Sequence, residues 1–173
     1  ILSGLVGSEM CIRDRSIRFH EEEVKPQSRD TIGVWGIRPE DGDQVVAAVL
    51  VNPACTLLVA GENGVGKRTP FEEYRQQGRG GKGVITMKTG DKTGLVAGAL
   101  AVRETDDLML ITTKGKMVRT RVHQIRETSR NTMGVKLIEL KPGSKLQAIA
   151  PVVSLESDTT PLLDQIDTEP PSE

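Results

Sequence analysis

Apolar residues in this chain come in short runs broken by glycine turns. Leu57-Leu58-Val59-Ala60 and Leu108-Met109-Leu110-Ile111 are suited to buried strands, and each leads into a turn, Glu62-Asn63-Gly64 or Thr113-Lys114-Gly115. Asn-Gly is a strong hairpin signal because both residues tolerate positive φ. After the second turn, Lys116–Val122 alternates imperfectly, as a half-exposed strand would. Further strands are expected over 45–51, 96–102 and 146–152, and Glu72-Glu73-Tyr74-Arg75 can form at most a single helical turn. The pattern is that of an all-β chain.

The same unit is written three times. Ser28-Arg29-Asp30-Thr31-Ile32-Gly33-Val34 returns as Gly78-Arg79-Gly80-Gly81-Lys82-Gly83-Val84, and again as Ser129-Arg130-Asn131-Thr132-Met133-Gly134-Val135. The spacings are 50 and 51 residues, and Arg18, Arg68 and Arg119 recur at the same spacings, as do Val24, Tyr74 and Ile125. The first and third copies hold one register of 101 throughout; the middle copy needs one inserted residue near Thr89–Gly94. A repeat of about 50 residues carrying about four strands predicts a propeller-like array of blades. The expected units are 16–53, 54–104 and 105–153, the first without its opening strand pair.

Both ends differ from this middle. Residues 1–15 fail as a signal peptide, lacking a basic start and a continuous apolar run. They look like translated adapter sequence and are expected to be a non-native extension, with an ordinary N-terminal strand as the alternative. Residues 154–173 hold six acids and no Lys or Arg and are expected to form a disordered acidic tail.

Charge then changes the picture. The chain carries a net charge of −1, yet 21 basic and 16 acidic residues lie between 16 and 153, so the body is +5. A basic body with an acidic tail is a footprint of nucleic-acid contact. Candidate contacts are Arg18, Lys67, Arg68, Lys116, Arg119 and Arg121 around the hairpins, with Arg29, Arg79, Lys82 and Arg130 in the glycine-rich corners. Equivalent positions of an array fall on one curved rim, and regularly spaced cations suit a phosphate backbone read without regard to sequence. Pairing of these arginines with the glutamates of each unit is the structural alternative.

Catalytic chemistry finds little support. Gly61-Glu62-Asn63-Gly64-Val65-Gly66-Lys67-Arg68 imitates a phosphate-binding loop, but Arg68 stands where Ser or Thr must reach Mg²⁺, and Pro70 forbids the long helix that should follow. Two isolated histidines, His20 and His123, make no metal site, and Cys11 and Cys55 have no metal or disulfide spacing. A reduced, cytoplasmic chain without a transmembrane span is the simplest reading.

Several segments, in order, resemble one known family. Gly64-Val65-Gly66-Lys67-Arg68-Thr69-Pro70, Tyr74-Arg75-x-x-x-Arg79-Gly80-Gly81-Lys82-Gly83, Leu108-Met109-Leu110-Ile111-Thr112 and Arg130-Asn131-Thr132-x-Gly134-Val135-Lys136-Leu137-Ile138 look like the closing blades of the C-terminal domain of DNA gyrase A subunits. The resemblance covers residues 16 to about 153. It implies a β-pinwheel whose basic perimeter wraps duplex DNA and so directs ATP-dependent negative supercoiling, with these units as blades four to six. It also implies partners on the nucleoid, namely double-stranded DNA, the gyrase B subunit, and the remainder of the A subunit. ATP and Mg²⁺ would be used elsewhere in the holoenzyme, with no cofactor and no catalytic residue in these blades. One departure is visible: the family's basic box reads Q-R-R-G-G-K-G, and Gln77-Gly78-Arg79-Gly80-Gly81-Lys82-Gly83 has Gly78 in place of an arginine. The A-type subunit of topoisomerase IV shares the blade and is the nearest alternative. A protein-interaction propeller is the alternative from another class.

Overall fold

The continuous apolar run Leu57–Ala60 has a simple structural cause: its strand is covered on both faces. In the computed structural model, which describes residues 8–11 and 14–152, Leu57 and Val59 point into one core and Leu58 and Ala60 into the next. Strand periodicity of two sends alternate side chains to opposite faces, so a strand buried on both must be apolar throughout. The strand Asp107–Thr112 has only one such core, and there the burial alternates between Leu108 or Leu110 and half-buried neighbours.

Eleven strands are described: β1 (Ser8–Cys11), β2 (Arg15–Phe19), β3 (Ala47–Leu50), β4 (Thr56–Gly61), β5 (Val65–Pro70), β6 (Val84–Ile85), β7 (Val96–Val102), β8 (Asp107–Thr112), β9 (Met117–Arg121), β10 (Val135–Lys136) and β11 (Leu146–Val152). They form three sheets in the orders β3-β1-β2-β6, β10-β5-β4-β7 and β11-β8-β9. Each second strand ends in a 3₁₀ turn, at Glu21–Glu23, Phe71–Glu73 and Val122–Gln124. That is the single turn anticipated around Glu72.

The fourth strand of a sheet is lent by the following unit. Corner strand β6 of the second unit pairs with β2, matching Ser16 to Val84 and Arg15 to Ile85. Strand β10 of the third unit pairs with β5 in the same way, matching Gly66 to Val135 and Val65 to Lys136. The two junctions are copies of one another in the repeat register. Two cores lie between successive sheets, one around Leu57, Phe71, Tyr74 and Met87, the other around Leu108, Val122, Ile125 and Ile138. A chain of buried hydroxyls also crosses the first junction, from Ser16 Oγ to Thr86 Oγ1 and from Thr86 Oγ1 to the Tyr74 hydroxyl.

The place expected to lack a strand pair is filled. Ser8–Cys11 runs antiparallel to β2, with Ser8 opposite Phe19, and to β3, with Ser8 opposite Leu50. The other residues of the expected extension up to position 13, and the acidic tail from 154, lie outside the described residues.

Candidate nucleic-acid interface

Corner glycines set the local geometry from which the cations project. Gly83 and Gly134 adopt φ of +70° and +92°, and a Cβ on either would sit 2.4 Å from a carbonyl oxygen of the preceding unit, Ser16 O or Gly66 O. Only glycine lets the corner strand press that close. Each corner thereby docks on the second strand of its neighbour, where the hairpin cations also lie.

Three of the expected rim residues turn out to be internal ties, which corrects the outward placement expected from sequence. Arg18 donates from Nη1 to Phe71 O at 2.8 Å and to Tyr74 O at 3.5 Å. Arg68, its repeat equivalent, is buried and donates from Nε to Ile125 O at 2.7 Å, with Glu104 3.6 Å from its Nη2. Both hold the 3₁₀ turn of the following unit, and a guanidinium suits that task because its planar fork carries five donors and no acceptor. Lys67 is 0 % exposed and donates from Nζ to Ser129 O at 2.9 Å, to Arg130 O, and to Thr132 Oγ1 at 3.4 Å. Burial pushes its ammonium down to about 8, opposed by the Glu73 carboxylate and assisted by the Arg130 charge. A group so enclosed cannot reach a phosphate.

Arg79 and Arg130 hold an intermediate position. Arg79 donates from Nε to Glu23 O and from Nη1 to Trp35 O, while its backbone N–H reaches Glu23 Oε2 at 2.8 Å. Arg130 repeats this with Ile85 O and Glu73 Oε2. Half-buried at the junction, each spends guanidinium donors on the preceding corner. The acids involved, Glu23 and Glu73, lie more than fifty residues away in sequence, so no single unit shows the pairing.

Arg29, Lys82, Lys116, Arg119 and Arg121 are exposed. Lys82 approaches Glu40 at 3.9 Å, and Arg119 pairs with Asp107. The Lys82–Glu40 pair is exposed and weak, leaving its cation available to an external anion, whereas Asp107 is mostly buried and accepts from both Nε and Nη2 of Arg119. Lys114, Lys116 and Lys141 line one cleft with Thr112, Glu139 and Ser144, between the β8–β9 turn and the loop before β11. Lys114 and Lys141 were not singled out from sequence, although Lys114 directly precedes the turn glycine Gly115 and Lys141 stands two residues before Gly143, as loop-tip cations would.

The imitation of a phosphate-binding loop is a β-hairpin. Its glycine Gly64 forms the turn at φ +77°, and the residues after it continue as β5, paired with β4 on one side and β10 on the other. Its backbone donors serve the sheet, and no helix begins there. Tyr74 is buried in the first junction. Among the described residues, no cluster of three His, Cys, Asp or Glu could hold a metal ion, and no helix is long and apolar enough to cross a membrane.

Blades of antiparallel strands, two of the three described sheets completed by a strand of the next unit, define this as a propeller-type repeat protein with basic loops. The family can be named as well. Residues 15–52, 56–103 and 106–152 match the DNA gyrase C-terminal domain, beta-propeller, and the chain belongs to that family. It is 39 % identical over 158 residues to the DNA gyrase A subunit of Mycolicibacterium smegmatis, covering 84 % of this chain and 19 % of that protein. It is 48 % identical over 124 residues to the DNA gyrase A subunit of Helicobacter pylori, covering 70 % and 15 %. The chain therefore spans about a fifth or less of the length of these relatives. Among solved structures, a DNA gyrase A C-terminal domain superposes with a TM-score of 0.80 at 26 % identity, over 87 % of this chain and 52 % of that one. A topoisomerase IV C-terminal domain superposes equally well at 20 % identity, over 86 % and 47 %, which shows a shared fold.

Proposed function

We propose that this chain binds duplex DNA through its phosphate backbone, as part of the wrapping domain of a DNA gyrase A subunit. In that role it supports negative supercoiling by a holoenzyme assembled with the B subunit, together with the rest of the A subunit. The observation that carries this reading is a division of labour among cations. Arg18, Lys67 and Arg68 weld units together, while Arg29, Lys82, Lys116, Arg119 and Arg121 stay exposed on the loops and second strands. The basic cleft of Lys114, Lys116 and Lys141 adds to the second group. Cations held at the surface are available to neutralise phosphates, and each contact releases condensed counterions. Bending a short duplex costs roughly 1–6 kcal/mol, so several such contacts must act together to hold a curve.

A titration of duplex DNA against salt tests the proposal. Affinity is expected to fall steeply with salt and to vary little between sequences. Lys82→Glu, Lys116→Glu and Arg121→Glu together should weaken binding and reduce the slope of log K on log salt by roughly 0.9 for each phosphate no longer neutralised. Unchanged affinity and slope in the triple variant would reject the exposed group as the interface. A flat salt response in the unmodified chain would instead favour a protein-interaction scaffold. Membership of the gyrase family favours gyrase over topoisomerase IV as the parent enzyme.

A further inference from the structure

We propose that the two junctions are recognition surfaces of different specificity, so that each corner docks on its own acceptor strand and is refused by the other. The backbone does not make this choice. Corner strands β6 and β10 pair with β2 and β5 in one register, Val84 opposite Ser16 and Val135 opposite Gly66. Both corners carry a glycine at positive φ, Gly83 or Gly134, and both follow a buried anchor, Tyr74 or Ile125. Backbone alone would let either corner settle on either acceptor, in its own chain or in a second copy. Misassembly of that kind is a characteristic failure of repeat proteins.

Side chains differ between the junctions in matched pairs. Ile17 and Gly81 meet at the first junction, and in the repeat register they become Lys67 and Thr132 at the second. Ile17 is fully buried, and a Cβ on Gly81 would lie 3.3 Å from its Cδ1. Lys67 instead donates from Nζ to Thr132 Oγ1 at 3.4 Å and to the carbonyls of Ser129 and Arg130. The other pair is Ser16 with Thr86, which become Gly66 and Leu137. Ser16 Oγ donates to Thr86 Oγ1 at 3.2 Å, and both residues are fully buried. At the second junction a Cβ on Gly66 would meet Leu137 Cδ1 at 2.4 Å, so the leucine fills the space a serine would need. The anchor changes in the same sense: Tyr74 extends the hydroxyl chain, at 2.9 Å from Thr86 Oγ1, and Ile125 has no hydroxyl.

A mismatched docking loses on both sides. The third unit's corner on β2 would set Thr132 where Ile17 leaves room only for glycine, and Leu137 against the hydroxyl of Ser16. The second unit's corner on β5 would leave Lys67 without its hydroxyl partner and Thr86 opposite a glycine that offers none. Buried polar groups left unpaired in the wrong complex discriminate strongly between partners. The order of the units, and with it the set of cations left facing outward, is thereby written at the junctions. The rest of the lysine's surroundings already exists at the first junction. Gly78, Arg79 and Glu23 stand where Ser129, Arg130 and Glu73 stand at the second, and the two glutamates make the same contact with the corner amide.

Exchanging residues between the junctions of the full chain tests this. Ile17→Lys with Lys67→Ile exchanges the acceptors, and Gly81→Thr with Thr132→Gly exchanges the corners; neither alters the composition. Each exchange alone mismatches both junctions and should lower the folding equilibrium constant, read by urea denaturation, at least about a hundredfold. All four substitutions together match both junctions again, so their loss should be smaller than that of either exchange alone. Amide exchange at β6 and β10 should follow the same order. Where an exchanged pair does not fold, circular dichroism should still show the fourfold variant folded. Losses that simply multiply, as independent sites give, or a fourfold variant no better folded than the exchanged pairs, would overturn the proposal.

Discussion

Replacing Lys67 with alanine is expected to destabilise the chain by about 3–5 kcal/mol, as breaking a buried, charge-assisted network typically does. The ammonium is 0 % exposed and ties the corner loop at Ser129, Arg130 and Thr132 to β5. Truncation removes a packed four-carbon stem and leaves those oxygens without their donor. Lys67→Met keeps the stem and loses only the donors, so it should cost less, about 1–3 kcal/mol. The pH dependence supplies a second signature. Because burial lowers the ammonium to about 8, the folded chain releases this proton before the unfolded chain does. Below about pH 8 both states hold it and the desolvation cost is fully present. Between about 8 and 10.5 the unfolded state binds more protons, so stability rises with pH, by up to about 3 kcal/mol. Urea unfolding of the native chain against Lys67→Met across that window should show this gain as a difference between the two. A constant difference would mean that the ammonium keeps its ordinary affinity for protons.

The repeat was legible in sequence because its strongest marks are backbone requirements. Gly33, Gly83 and Gly134 recur at fixed spacing and all adopt positive φ, and the apolar run at Leu57–Ala60 announced a strand covered on both faces. Which cations face outward was not legible from a single unit. Arg18 and Arg68 read as rim charges because their acceptors are main-chain carbonyls of the following unit, and a carbonyl leaves no trace in residue identity. The pair is structural, as the alternative reading had it, but its partners are chiefly carbonyls and not the glutamates that reading named. For Lys67 a signal did exist. The register places Ile17 and Val118 at its position in the other copies, and Ile17 is buried in an apolar cluster. A lysine at a site that is apolar in both sister units points inward, and comparing units against one another would have shown it.

The loan of a strand between units was hidden for a related reason. Sequence gives the order of strands, and a two-residue strand such as Val84–Ile85 or Val135–Lys136 is too short to carry a periodic signal of its own. Its pairing is decided by the glycine before it, which brings the backbone within reach of the neighbouring sheet. The blade is consequently a shared object: three strands from one unit and one from the next. This makes the array behave as a series of nearest-neighbour interfaces, in which the stability of each unit depends on the unit that follows.

Gly134→Ala therefore tests the junction directly, and a loss of at least about 3 kcal/mol is expected from two combined costs. A φ of +92° is unfavourable for any L side chain, by roughly 1–2 kcal/mol. The added Cβ would also meet Gly66 O at 2.4 Å and Gly66 C at 2.7 Å, backbone atoms held in β5 by pairing on both sides. Relief requires the corner to move away, which breaks the pairing of Val135 with Gly66 and uncovers Ile138 and Leu137. Gly83→Ala faces the same contact with Ser16 O and should behave alike. Gly33→Ala is the internal control: its φ is +88° but the space around it is open, so only the conformational cost of roughly 1–2 kcal/mol should appear. The three variants share a substitution and a backbone conformation and differ only in whether a neighbouring carbonyl is present. Denaturant unfolding should rank Gly134→Ala and Gly83→Ala well above Gly33→Ala in lost stability. Amide exchange should locate the damage at β10 and β6 respectively. Equal losses at all three positions would mean that the glycines are kept for their turns alone, and that the strand lent from unit to unit does not depend on close backbone approach.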